Sequence, residues 1–360
     1  MAPPAPSTMK AWVVARRGAP RNALTLRTDH PVPVLSPSSS SLLVRISYAA
    51  LNPVDLVLMQ LAPTWIPFLR SQPVAGIDFC GTVVRAGSAA PADLSNPGTE
   101  VCGTLSLHLI VAGHGTLAEY VVVPADLVAP VPKRWKTKAQ AQAQAAGLGV
   151  VGQTAVIAVR EAGLRRVESE EGVEGARVLV NGASGGLGVM LVQICKGLGL
   201  KVTGICSGRN TDFVGGLGAD ETIDYTVHQP LTAYLATRYA EQPFDFIFDT
   251  VGDLKLFDHS THYLKPSGKL ISLVGGKTQG VWPFVRNRLW PRLLGGTPRT
   301  YRLLGLVPSG SLQRQVVEWV EEGIIKEVPI DSEHSMENAL EGYDRVISRR
   351  AKGKIVIKID

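Results

Sequence analysis

The stretch VLVNGASGGLGVMLVQICKGLGLKVTGICSGRN, Val178 to Asn210, decides the fold. Val178, Leu179 and Val180 form a short apolar run that stops at a glycine cluster, the pattern of a buried parallel strand entering a tight turn. Gly182, Gly185 and Gly188 follow at three-residue steps. From Leu187 the apolar residues Met190, Leu191, Ile194 and Leu198 recur at helical spacing, and Val202 to Cys206 read as a second strand. The order strand, glycine turn, helix, strand is a βαβ unit. Glycines at such a turn let the chain reverse, let backbone approach a pyrophosphate and let the helix pack on its strand. The N–H groups and dipole at a helix start favour an anion. Gly182, Ser184, Gly185, Gly186, Leu187 and Gly188 are therefore candidate cofactor ligands, against the plainer reading of a connecting turn.

A ribose 2′-hydroxyl is usually met by Asp or Glu about 20 residues past the glycines, at the end of the second strand. Here that place holds Cys206, Ser207, Gly208 and Arg209, with no carboxylate until Asp212. A hydroxyl and a guanidinium suit a 2′-phosphate, so the expectation is NADPH rather than NADH. The plainer alternative makes Arg209 a solvated loop residue.

With 360 residues the chain has room for two domains with substantial cores. Cys80, Cys102, Cys195 and Cys206 show no metal spacing, and reduced, packed thiols are expected. No apolar run reaches membrane-spanning length, and MAPPAPSTMKAW lacks a signal-peptide core, so a cytoplasmic location is expected. Before about Pro130 the chain is β-rich: AWVVA, SLLVRISYAAL, CGTVVRAG, TEVCGTL and LAEYVVVP alternate with Gly, Pro and Ser clusters. Composition turns Ala- and Gln-rich at Lys138, the expected boundary. LGADETIDY, FDFIFDTVG and GKLISLVGG continue a doubly wound parallel sheet, and GKIVIKI is a final strand.

These residues resemble the medium-chain dehydrogenase/reductase superfamily, in its zinc-free quinone oxidoreductase branch with reticulon-interacting-protein-like members. The marks are LNPVD (51–55), PVAGIDFCGTVVRAG (73–87), GHGTLAEYVVVP (113–124), GASGGLG (182–188), LGADETIDY, FDFIFDTVG and the last strand. The resemblance implies an α/β fold with a GroES-like domain over 1–137, a Rossmann domain over 138–310, and a return to the first domain over 311–360. It also implies an active-site cleft between the two and, commonly, a homodimer. Ser184, Gly186 and Leu187 are implied to hold pyrophosphate. Ser207 and Tyr225 are implied near the 2′-phosphate with Arg209 beside them, Thr250 along the ribose, and Asn52 facing nicotinamide and substrate. The zinc-dependent branch needs Cys or His ligands, and here its Gly-His-Glu element reads Gly76-Ile77-Asp78, so no metal is expected. Three departures stand out: no cation in DLVLMQL, Gln153 where relatives often have Leu, and Thr250 where they often have Asn.

The expected reaction is hydride transfer from NADPH to a quinone or an α,β-unsaturated carbonyl, helped by a hydrogen bond to the developing oxyanion. Asn52 is the candidate donor, though Asn before Pro is also a turn former. Tyr48 is a second candidate, against a packing role. Asp55 is read as structural, and His108 and His114 as loop residues without catalytic roles. From His259 to the residue before Glu318 there is no Asp or Glu, while Lys265, Lys269, Lys277, Arg286, Arg288, Arg292, Arg299, Arg302 and Arg314 occur. Residues 281–306 interleave Trp282, Phe284, Trp290 and Tyr301 with arginines, which suits a peripheral membrane or lipid-droplet contact. The alternative is a loop near the substrate or a subunit interface, with Pro283, Pro291 and Pro298 breaking any long helix. No nucleic-acid motif accompanies the charge. A catalytically quiet relative serving membrane association or protein targeting is the competing function.

Overall fold

A computed structural model of the chain describes residues 6–61, 72–135, 140–164, 175–274 and 296–359. The chain divides into two compact units, one of Met1–Gln153, Val307–Glu321 and Glu327–Asp360, the other of Thr154–Leu306 and Glu322–Lys326. The division falls beyond the composition change near Lys138, because the Ala141–Ala146 helix and the start of the Gly149–Ala162 helix count with the first unit.

In the first unit β1 (Thr8–Val14) and β2 (Leu24–Pro31) form an antiparallel pair. The main sheet has seven strands, among them β3 (Ser41–Leu51), β4 (Asp78–Ala86), β5 (Glu100–Thr104), β6 (Tyr120–Pro124) and β7 (Val128–Pro130). Its other two strands are β14 (Ile330–Ser335) and β15 (Lys354–Lys358), so the order is β14-β15-β3-β4-β5-β7 with β6 also paired to β3. Strand β3 explains much of this packing. Leu42, Val44 and Ile46 are fully buried in one core with Phe79, Val101 and Val123. Register shifts between Ile46 and Tyr48, and beyond it Ala49 and Leu51 join a second core with Trp12, Tyr343 and Ile357. Each such aliphatic side chain contributes about 1.5–3 kcal/mol by leaving water. The indole N–H of Trp12 donates to the Met336 carbonyl at 2.7 Å, tying β1 to the later part of the same unit.

The second unit is a six-stranded sheet, β10-β9-β8-β11-β12-β13, parallel throughout. The strands are β8 (Arg177–Asn181), β9 (Lys201–Cys206), β10 (Glu221–Asp224), β11 (Phe244–Asp249), β12 (Leu264–Ser272) and β13 (Thr300–Leu303). Both expected fold classes are present: a β-rich first unit and a doubly wound parallel second one. Strand β8 has β9 on one side and β11 on the other, the reversal at which open α/β sheets bind ligands. All four cysteines are buried and unbridged, with Cys80 opposite Cys102 across β4 and β5.

Most of the Trp- and Arg-rich segment, 275–295, lies outside the described residues. Its described last part turns one residue, Tyr301, inward and ties its arginines to neighbouring elements. Tyr301 on β13 is 5% exposed and packs edge-on against Phe257, Arg299 donates to the Leu264 and Thr261 carbonyls, and Arg302 pairs with Glu161 at 3.1 Å. Among the described residues no helix is long and apolar enough to cross a membrane.

Candidate functional site

The second unit gathers its candidate residues at the carboxyl ends of β8, β9, β10 and β11. Gly182 turns the chain out of β8 with φ +80°, and a Cβ there would press on Thr250 Oγ1. A Cβ at Gly188 would collide with the Gly182 carbonyl oxygen, so the Gly186–Gly197 helix can start this close to the turn only with glycine there. Gly185 is the helix N-cap and has no side chain to cap with, which leaves the first-turn N–H groups of Gly186, Leu187 and Gly188 open to an external acceptor. Ser184 borders the same turn, partly buried, and its Oγ accepts from Asn210 Nδ2 at 3.0 Å. Asn210, not foreseen in the sequence, thus straps the glycine turn to the end of β9. The glycine turn and uncapped helix start fit a dinucleotide pyrophosphate.

Beside it, Asn181 Nδ2 donates to Asp249 Oδ1 at 3.0 Å, and the same oxygen takes the N–H groups of Val251 and Gly252. Burial, ahead of these bonds, raises the Asp249 pKa. Thr250 donates its hydroxyl proton to the Asn181 carbonyl at 2.7 Å, so toward any ligand it offers only lone pairs. Ser207 is partly buried at the end of β9, Arg209 is exposed, and Tyr225 is 46% exposed at the end of β10.

The end of β9 is not free of carboxylates. A carboxylate does reach this pocket: Asp224, opposite Cys206 in the register, lies against the Gly208 backbone. It arrives from the neighbouring strand, not along β9. Asp224 accepts from Thr226 N at 2.8 Å and Thr226 Oγ1 at 2.7 Å, and these bonds, with the Gly208 N–H, hold its pKa below the usual value.

In the first unit Asn52 ends β3 and precedes the Pro53–Leu61 helix. It is 1% exposed, and its amide is committed: Nδ2 donates to Asp78 Oδ2 at 2.8 Å and Ala50 O at 3.3 Å, while Oδ1 accepts from Lys354 Nζ at 2.6 Å. With both amide protons engaged, Asn52 is not a free oxyanion donor here. It positions the cluster instead. Tyr48 is partly buried, and burial together with the Glu333 carboxylate raises its pKa, which makes it a weaker acid than an ordinary tyrosine. His108 lies in the short Leu107–Val111 helix rather than a loop, bonded to Ser106 Oγ at 2.9 Å, and burial lowers the pKa of His114.

Asp78 is fully buried and takes Val150 N at 2.9 Å and Lys354 Nζ at 3.3 Å besides Asn52. A dication does not fit where an ammonium already neutralises the carboxylate and the remaining neighbour in the motif is Ile77. Among the described residues no group of three His, Cys, Asp or Glu side chains could hold a metal. Asp55, at the third position of the Pro53–Leu61 helix, is 2% exposed and accepts the Asn52 N–H at 2.8 Å, half of a capping box. Its other oxygen, Oδ1, has no hydrogen-bond partner among the described residues. Burial raises the Asp55 pKa to about 7; Asp78 adds to the rise, while the Asn52 N–H and Lys354 oppose it. Gln153, buried among apolar residues, donates to Gln313 Oε1 at 2.8 Å and accepts from Ser309 N at 3.0 Å.

Comparison with known proteins places this arrangement. The family described as "Alcohol dehydrogenase GroES-like domain" matches residues 38–133, and that described as "Zinc-binding dehydrogenase" matches 217–357. The medium chain reductase pydE of an Acremonium species is 37% identical over 98% of this chain and 99% of its own. The chain belongs to the medium-chain dehydrogenase/reductase superfamily. It falls in the quinone oxidoreductase branch of that oxidoreductase family, and among the described residues no group fits the metal named in the second description. The trans-enoyl reductase poxH of Penicillium oxalicum is 32% identical over 98% of both chains. In fold, the quinone oxidoreductase of Coxiella burnetii superposes with a TM-score of 0.76 at 24% identity, covering 98% of this chain and 99% of that one.

Proposed function

We propose that the protein is a zinc-independent, NADPH-dependent reductase of α,β-unsaturated carbonyl compounds, quinones being their cyclic dicarbonyl members. The observation that carries this reading is the uncapped start of the Gly186–Gly197 helix behind the Gly182 turn, in a chain 37% identical to a medium chain reductase and 32% identical to a trans-enoyl reductase. The nicotinamide group, when bound, supplies a hydride. The chain's own work is binding and orientation. Backbone N–H groups of Gly186, Leu187 and Gly188 take the pyrophosphate, and Ser184 borders it. Ser207, Arg209 and Tyr225 serve the adenosine end. Support for the phosphorylated coenzyme comes from the exposed Arg209 and from a β9 end that carries Ser207 and no carboxylate of its own, while Asp224 on the neighbouring strand, its pKa held low, counts against it.

The test follows NADPH absorbance with 2-cyclohexenone, a linear 2-enal, a benzoquinone and a simple alcohol with NADP⁺. Turnover of the conjugated carbonyls and none of the alcohol is expected. Coenzyme binding without turnover of any conjugated carbonyl overturns the reading and favours the catalytically quiet alternative.

A further inference from the structure

The first unit holds a cavity of about 240 Å³, walled by Val14, Met59, Val74, Ile77, Leu107 and Val111, among others. Among the described residues in its wall, Asp55 is the one titratable side chain. An empty cavity of roughly 150 Å³ lined by aliphatic and aromatic side chains binds benzene, so this one has room for a compact molecule of roughly ten heavy atoms. An apolar wall with one polar group is the usual composition of a small-molecule site.

Asp55 divides its oxygens unequally. Oδ2 is used by the helix cap, accepting the Asn52 N–H at 2.8 Å, while Oδ1 is shut away from water with no partner among the described residues. A buried unpaired carboxyl oxygen is costly to maintain, and such groups are rare in folded proteins. The capping role explains Oδ2 and leaves Oδ1 unexplained. The neutral carboxyl has an O–H at that oxygen and can give one hydrogen bond; the ionised form can give none. Asp55 is part of the cavity wall, and carboxyl χ2 is a broad torsion, so its oxygens are not locked in one orientation.

We propose that this cavity is a binding site for a compact apolar carbonyl compound whose carbonyl oxygen accepts a hydrogen bond from protonated Asp55. The proposal deepens the reductase reading, on which it rests for the identity of the ligand as a conjugated carbonyl. It does not require the coenzyme. Burial sets the protonation of Asp55 first, and three groups adjust it. Asp78 disfavours its charge, the Lys354 ammonium and the Asn52 N–H favour it, and Tyr343, whose hydroxyl is also buried and unpartnered, feels that charge as a rise in its own pKa. With titration at about 7, a site that needs the neutral carboxyl loses competence as pH rises through neutrality.

The experiment uses cyclohexanone, which has the carbonyl but no conjugated double bond, and measures binding to the full chain without coenzyme by calorimetry from pH 6 to 8. Affinity is expected to fall about tenfold across that range, as the competent fraction does. In Asp55→Asn, which keeps a cap acceptor and a permanent donor, affinity is expected to be flat with pH. In Asp55→Leu it is expected to be lost, with circular dichroism checking the fold. Should either variant fail to fold, the wild-type profile alone decides. Wild-type affinity independent of pH, or no binding at any pH, overturns the proposal and leaves Oδ1 to a trapped water. Cyclohexanone binding with the expected profile, but no NADPH-driven turnover of any conjugated carbonyl tested, retains the site and overturns the reductase reading instead.

Discussion

Replacing Asp55 with Asn should change how the stability of this protein depends on pH. The carboxyl is buried, and its pKa is raised from 3.8 to about 7, with burial as the largest cause. Because the folded chain holds this proton more tightly than the unfolded chain, wild type loses stability as pH climbs from the unfolded value through about 7. Below 3.8 both states are protonated and the penalty vanishes. A tenfold difference in proton affinity between the folded and unfolded chain is worth about 1.36 kcal/mol, so the full penalty above pH 7 is about 4 kcal/mol. Part of it is already present at pH 5, and linkage leaves about 2–3 kcal/mol to develop between pH 5 and pH 8. Asparagine does not titrate and keeps an oxygen for the Asn52 N–H. Variant minus wild-type melting temperature, read by scanning fluorimetry at matched ionic strength, should therefore open by roughly 5–10 °C over that interval, given about 2–4 °C per kcal/mol for a folding unit of this size. Taking the difference removes the pH dependence of every other group. A gap that stays constant to within a degree, or that narrows, would refute the claim that burial raises the Asp55 pKa.

Three further outcomes follow from the geometry. Arg209→Ala should weaken NADPH binding by about tenfold to a hundredfold, as expected for a lost charge-assisted contact, and leave NADH unchanged; equilibrium titration with both coenzymes decides it. Gly188→Ala drives a methyl into the Gly182 carbonyl and should destabilise by about 3 kcal/mol while abolishing coenzyme retention, read by melting temperature and calorimetry. Lys354→Met leaves the Asp78 carboxylate buried without its countercharge and should lower stability by about 3–5 kcal/mol at neutral pH, whereas Asp78→Asn combined with it should recover part of that loss.

The stretch from Val178 to Asn210 was legible because each feature is local: a strand, a glycine turn and a helical repeat all announce themselves within a few residues. Strand β3 was legible for the same reason. Strand β2 was not, since most of its residues are exposed and Arg27 and Asp29 interrupt the alternation. Strand β13 was hidden by Arg302 and the arginines before it, which suggested a surface segment until Tyr301 proved to be buried. At the candidate sites the difficulty was distance along the chain. Asp224 reaches Gly208 through the register of a parallel pair, and Lys354 meets Asp78 across 276 residues. Nothing near Asn52 in sequence reveals that both its amide protons are engaged. Only Asp78, Ala50 and Lys354 together do so. Asp55 was read only as structural, and the sequence did not separate the oxygen that caps the helix from the one left unpaired.

Strand β15 occupies an interior place in its sheet, between β14 and β3. During synthesis β3 is therefore made early but must wait for Ile355, Val356 and Ile357 before its partner along Ala49 to Leu51 exists. The nascent first unit carries an open sheet edge through nearly all of translation, while the second unit, built almost wholly from the continuous run Thr154–Leu306, can close beforehand. The second unit can thus complete its sheet while the Ala49–Leu51 part of β3 is still without its β15 partner.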